Sequence, residues 1–175
     1  MKKGTLFLSV SLITCLSLFS FQCSDDDDDL TSGDVNYSTF AAIEADTTLT
    51  FFMQALKASG LEEMLRGNQG PYTIFAPTNS VFARVDSAVL DTLLAHAQDS
   101  LRTVLEYHIV RSQLSVNDLK ASDSVTTLQG SKIDVDTTLA GGVRLNSSAN
   151  VDLNGVTTDN GVVYKINGLL IPRRL

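Results

Sequence analysis

The sequence predicts an α+β domain, helical in its N-terminal half and strand-rich in its C-terminal half. Three observations carry this reading. Between Tyr37 and Leu65, apolar residues recur at three- and four-residue intervals, the stripe that an amphipathic helix buries. Beyond residue 120, short β-rich stretches alternate with Gly and Asn pairs that favour tight turns. The helical and extended runs are segregated, which argues against a wound βαβ sheet. No internal repeat is evident, and 175 residues with 43% hydrophobic content hold about one domain.

In chain order, Lys2-Lys3 and the uncharged apolar run from Gly4 to Phe21 read as the basic and hydrophobic regions of an export signal spanning residues 1–22. The run is also nearly as long as the roughly 20 apolar residues of a membrane-spanning helix, so an uncleaved anchor is the alternative. Cys23 ends the run in the manner of the lipidation site of bacterial lipoproteins, where the acylated cysteine becomes the first mature residue. Ser20-Phe21-Gln22 departs from the usual lipobox. Leu12-Ile13-Thr14-Cys15 is superficially nearer, but cleavage there leaves Leu16 to Phe21 as an exposed apolar tail. With Cys15 removed in the signal, neither of the two cysteines supplies a disulfide to the domain.

The five aspartates Asp25 to Asp29 repel one another and bury no apolar surface, so residues 23–35 are expected to form a solvated tether. Ser24 to Val35 reach at most about 40 Å. Cys-Ser followed by aspartates also resembles the acidic export signal of Bacteroidetes-type surface lipoproteins, which places the protein at the outer membrane, facing the medium. A weak cation-binding or merely solubilising tail is the other reading of this run.

Residues 36–175 then form the domain. Phe40, Ile43, Leu49, Phe52, Met53 and Leu56 have helical spacing; Gly60 interrupts it, and Leu61, Met64 and Leu65 add one turn. Gly67 to Pro71 is a turn cluster. Tyr72 to Ala76 is a strand with alternate side chains buried, ended by Pro77. Thr78 or Asn79 caps a short helix carrying Val81, Phe82 and Val85. A longer helical region from Val89 to Leu105 breaks near Gln98-Asp99. Ser115-Val-Asn-Asp118 has capping-box spacing. Strands are predicted at Val125–Leu128, Lys132–Val135, Val143–Leu145, Val151–Leu153 and Val162–Ile166, and Asn160-Gly161 is predicted to turn a hairpin.

Three of these stretches resemble one family. Tyr72 to Phe82, with Thr73, Phe75, Pro77, Thr78, Asn79 and Phe82, is similar to the first signature of the fasciclin I-type domain. Leu105 to Val110 resembles its central Tyr-His segment, and Thr157 to Pro172, with Asn160 and Gly161, resembles its second signature. The resemblance implies short helices packed on a β-wedge of two small sheets, and adhesion or extracellular binding in place of catalysis. It also makes Tyr107 and His108 candidate partner-binding residues. A histidine beside Leu105, Ile109 and Val110 has packing as its other reading. Gly155-Val156 stands where animal adhesion members often carry Asp-Ile, Tyr164 where many have histidine, and Asn167 where many have aspartate.

The net charge of −7 and the scattering of 13 basic residues argue against nucleic acid as a partner. No Gly-x-Ser-x-Gly elbow is present, and two separated histidines, His96 and His108, do not form a zinc set. Neither a catalytic role nor a cofactor or metal is expected. The expected function is a lipid-anchored module that binds an extracellular protein or glycan and is attached to the membrane through its anchor. The alternative is an envelope structural component docked to another membrane protein.

Overall fold

Ser38 opens the first helix: its Oγ accepts from the Ala41 N–H at 3.2 Å, satisfying an amide that has no partner within the helix. The computed structural model describes residues 37–67, 69–84 and 97–172. Helices α1 (Thr39–Ala45), α2 (Thr50–Ala58) and α3 (Glu62–Arg66) follow, with a 3-10 turn at Thr47–Leu49 before α2. Asp46 accepts from the Thr48 amide at 2.8 Å to start that turn. The predicted stripe faces inward, with Phe40, Ile43, Leu49, Phe52, Leu56, Leu61 and Leu65 at 0–1% exposure. Met53 and Met64 are only partly buried at its margin.

Strand β1 (Tyr72–Pro77) runs beneath this helical layer. Every residue of it is buried, which corrects the expectation of alternate burial. Side chains alternate between faces, and each face meets a core: Tyr72, Ile74 and Ala76 join the helix-side cluster, while Phe75 joins a second cluster with Tyr107, Leu119, Ile133, Leu145 and Ile166. A strand covered on both sides reads as a continuous apolar run.

After the four-residue helix α4 (Asn79–Phe82) come α5 (Ala97–Tyr107), β2 (Ile109–Val110) and α6 (Val116–Ala121). Ser115 and Asp118 close the predicted capping box, with N–H to Oγ at 3.2 Å and N–H to Oδ2 at 2.8 Å. The remaining strands are β3 (Ser124–Thr126), β4 (Lys132–Thr137), β5 (Val143–Leu145), β6 (Ala149–Val151), β7 (Val156–Thr158) and β8 (Gly161–Ile166). The strand predicted at Val151–Leu153 lies two residues earlier, because Ala149 to Val151 pair with β5.

The order is β2-β1-β8-β6-β5-β4-β3, with β7 also on β8. The fold is α+β, a fasciclin-like wedge of mixed sheet: β1 and β8 are parallel from Tyr72↔Gly161 to Pro77↔Ile166, and the other pairs are antiparallel. The two halves of the wedge meet at β6–β8, registered at Val151↔Ile166. A bridge between Val110 and Thr127 brings the ends of the order together, which leaves little free edge. No helix among the described residues is long and apolar enough to cross a membrane. The leader, Cys23, the aspartate tether, His96 and the helical segment predicted from Val89 to Leu94 lie outside the described residues.

Candidate functional site

The motif residues turn out to be connectors. Thr73 Oγ1 donates to the Ser112 carbonyl at 2.6 Å and accepts from the Leu114 N–H at 2.9 Å, so one buried hydroxyl fixes the loop after β2. Phe75 packs on Tyr164, ring centroids 6.3 Å apart. Pro77 closes β1 opposite Ile166. Thr78 occupies the N-cap position of α4, yet its side chain makes no capping bond and meets Ser80 Oγ at 2.9 Å instead.

Asn79 departs further from expectation. Its Oδ1 accepts from the Phe51 N–H at 3.1 Å, and its Nδ2 donates to the Thr47 carbonyl at 3.0 Å and to Thr50 Oγ1 at 2.9 Å. The amide therefore caps α2, a helix 28 residues earlier in the chain, and not the helix it begins. Phe82 lies beside Phe51, centroids 6.1 Å apart.

Asn160 is the second connector, 6% exposed. Oδ1 accepts from the Thr39 N–H at 2.7 Å, and Nδ2 donates to the Leu65 and Gly67 carbonyls at 2.9 and 3.0 Å. Its own carbonyl accepts from the Tyr72 N–H at 2.9 Å. One residue thus ties α1, α3 and β1 to the β7–β8 hairpin. Thr158 pairs with Gly161, so Asp159 and Asn160 are the two turn residues, and the predicted Asn-Gly turn is shifted by one. Gly161 is needed for close approach: a Cβ there would lie 2.1 Å from the Tyr72 carbonyl oxygen.

Tyr107 and His108 are buried, 3% and 0% exposed, so in this fold neither presents its side chain to a partner. The Tyr107 hydroxyl donates to the Lys132 carbonyl at 3.0 Å and accepts from Asn146 Nδ2 at 3.0 Å. His108 Nδ1 lies 2.8 Å from the Val104 carbonyl, and Nε2 lies 3.1 Å from the Leu170 N–H. Since Nε2 faces a donor, the neutral ring with its proton on Nδ1 satisfies both neighbours. Burial lowers its pKa to about 4, the bond to Val104 opposing in part. The ring lines an apolar cleft of about 330 Å³ with Phe51, Phe52, Leu101 and Leu169.

A larger groove, about 730 Å³, opens at the C-terminal end of β8, its wall mostly apolar in area but set with polar side chains. One wall is Thr47, Thr48 and the Thr78–Ser80 turn; the other is the β6–β8 ladder. The ladder continues one residue beyond Val151↔Ile166 on each side. The Asp152 N–H donates to the Lys165 carbonyl at 2.8 Å, and the Asn167 N–H to the Asn150 carbonyl at 3.2 Å. Residues two apart on a strand share a face, and directly opposed residues lie side by side. Asn150, Asp152, Lys165 and Asn167 therefore form a two-by-two polar face, while Val151 and Ile166 belong to the core.

This face is held rigidly. Asn167 Oδ1 accepts from the Asn150 N–H at 2.8 Å. Lys165 Nζ pairs with Asp46 Oδ2 at 3.2 Å, bridging to the opposite wall. Burial works against the Asp46 carboxylate, but bonds from the Thr48 hydroxyl and amide and from Lys165 outweigh it and hold its pKa below the ordinary value. Among the described residues no group of three His, Cys, Asp or Glu is placed to hold a metal ion. Of the groove residues, the two signature stretches hold Thr78, Asn79, Ser80, Lys165, Ile166 and Asn167, but do not show that they meet. The ladder residues are brought in by pairing between distant strands, for which the linear pattern carries no signal.

The Fasciclin domain family matches residues 47–172. Among curated proteins, the chain is 32% identical over 130 residues to transforming growth factor-beta-induced protein ig-h3 of Sus scrofa, covering 74% of this chain and 19% of that protein. It is 28% identical over 127 residues to the uncharacterised Synechocystis protein sll1735, covering 73% and 92%. It is 35% identical over 105 residues to the immunogenic protein MPB70 of Mycobacterium bovis, covering 60% and 52%. The chain thus spans about a fifth of ig-h3 and about half of MPB70. Among solved structures, a FAS1 domain pair from the insect cell adhesion molecule Fasciclin I superposes with a TM-score of 0.62 at 20% identity, covering 79% of this chain and 52% of that one. With its two connectors, its parallel β1–β8 pair and this match over residues 47–172, the chain belongs to the fasciclin domain family.

Proposed function

We propose that this protein is a lipid-anchored, extracytoplasmic adhesion module whose groove between the 3-10 turn and the β6–β8 ladder takes an extracellular ligand. The observation that carries the reading is the groove of about 730 Å³, apolar over most of its wall and set with polar side chains, within the size range of ligand clefts. It is set on ordered strands, with exposed polar groups on a fixed scaffold. Kinship with ig-h3 and the fold of an insect cell adhesion molecule favour binding over turnover.

Placement favours it too. The described chain begins at Tyr37, whose N–H donates to Asp159 Oδ2 at 2.7 Å. Asp159 sits in the turn that precedes β8 and Lys165 lies near the other end of that strand, so Tyr37 and the groove stand at opposite ends of β8. Acylation at Cys23 and export to the outer surface rest on the leader and the aspartate run; two or more acyl chains hold a protein stably, each methylene contributing about 0.8 kcal/mol.

The test is adhesion of cells displaying the full chain, with protease shaving to establish exposure. Release of the domain by shaving, with adhesion lost on substituting Asn167 and Asp152, is the expected result. Full protection from protease favours an envelope component docked to another membrane protein. Adhesion unchanged by the substitutions overturns the groove reading.

A further inference from the structure

From the donors and acceptors that the ladder leaves open, we infer that the groove takes a neutral, polyhydroxylated ligand, a short uncharged glycan; this rests on the module reading above. Asn167 Oδ1 is engaged by the Asn150 amide, which fixes the side-chain orientation and leaves Nδ2 as a donor with no acceptor among the described residues. Asp152 Oδ1 receives both the N–H and Nδ2 of Asn154 at 3.0 Å, leaving Oδ2 to accept. Lys165 spends one bond on Asp46 and keeps further N–H donors.

Asp152 and Lys165 oppose each other across the ladder, roughly 5 Å apart at Cβ, so the groove wall carries an open acceptor and, on the side chain that reaches to Asp46, open donors. A sugar hydroxyl both donates and accepts, and vicinal hydroxyls repeat that pair at short spacing. An ordered row of mixed donors and acceptors matches it without moving, which lowers the cost of binding.

Charge excludes the acidic alternatives. Lys165 is neutralised by Asp46, and Asp152 adds an uncompensated carboxylate to the groove. A sulfated, phosphorylated or sialylated ligand is repelled by such a field. A glycan held by a few hydrogen bonds binds weakly, and display of many copies on one surface multiplies the avidity.

The experiment presents detergent-solubilised full chain to immobilised neutral hexose and N-acetylhexosamine oligomers and to sulfated and sialylated oligomers at physiological salt. Retention on neutral oligomers is expected, falling about tenfold or more in Asp152→Ala and in Asn167→Ala, as loss of hydrogen bonds to exposed groups allows. Both variants lose a local bond, to the Asn150 amide or to Asn154, and are expected to remain folded with a cooperative thermal transition, which a second reading by circular dichroism checks. Retention on acidic oligomers alone, or retention unchanged in both variants, overturns the inference. Adhesion that both variants lose, with no oligomer retained by the parent, overturns the glycan and leaves a protein-binding groove. Adhesion that both variants keep removes the groove reading itself.

Discussion

The ring of Tyr164 occupies the space beside Gly155: a Cβ at residue 155 would lie 2.4 Å from Tyr164 Cε1 and 2.6 Å from Cδ1. Gly155 and Tyr164, two of the three positions that depart from the pattern the signatures resemble, are therefore one packing arrangement. The ring is anchored where it stands: it is 3% exposed, lies against Phe75, and has its hydroxyl on the Leu114 carbonyl at 3.0 Å. Gly155→Ala is expected to cost about 1–3 kcal/mol, the range for overpacking. Tyr164→His in the same chain should recover part of the loss, and a double-mutant cycle of thermal unfolding measures the coupling.

Asn160→Ala removes three buried bonds at once, to Thr39, Leu65 and Gly67. Leaving the Thr39 amide and the Gly67 carbonyl without this partner, while the Leu65 carbonyl keeps the Thr39 hydroxyl at 3.2 Å, is expected to cost about 2–4 kcal/mol. Denaturant unfolding with an unchanged m-value is the measurement, and a loss below that range would mean that water replaces the amide.

For His108 the relevant window lies between the unfolded value near 6.5 and the folded value of about 4. Within it the unfolded chain binds a proton that the folded chain refuses, so stability falls as pH drops from about 6.5 to about 4 and is then flat for this group. The total is about 3 kcal/mol. Comparing His108→Leu with the parent across this range isolates the effect from the carboxylates. The variant should be less stable at pH 7, because Val104 and Leu170 lose their partner, and should show a shallower decline.

Thr73→Val keeps the volume of the side chain and deletes its hydroxyl. With the Ser112 carbonyl and Leu114 amide both losing a partner, the expected cost is about 1–3 kcal/mol. Faster hydrogen exchange at Leu114 than at Ile74 would locate the damage in the loop.

Cys23→Ser tests the anchor. The variant is expected to take up no fatty-acid label and to leave the membrane fraction, while its domain unfolds at the parent's temperature. Retained label would reject acylation at this thiol.

What the sequence made legible was local. The Ser115–Asp118 capping box lies within four residues, and Val143–Leu145 is bracketed by turn formers, so each could be read from its own neighbourhood. The connectors could not. Asn79 looked like the cap of the helix that follows it, because nothing in the sequence signals a partner at Phe51; Asn160 finds Thr39 at a separation of 121 residues. Tyr107 and His108 are candidate partner residues only through the family resemblance, whereas the apolar neighbours of His108 point to packing, the reading its burial supports. The groove was the least legible, since its polar face exists only when residues 150–152 pair with residues 165–167.

The reciprocal bonds between Tyr37 and Asp159, N–H to Oδ2 at 2.7 Å and N–H to carbonyl at 3.1 Å, stand beside the Thr39 bond to Asn160. Any pull that reaches Tyr37 along the chain is met by all three together. The load passes into the turn that begins β8, a strand held by β1 along one side and by β7 and β6 along the other. Tension applied at Tyr37 therefore reaches the middle of the sheet before it can peel a helix away, and the first described residue is fastened at one of the domain's best-supported points.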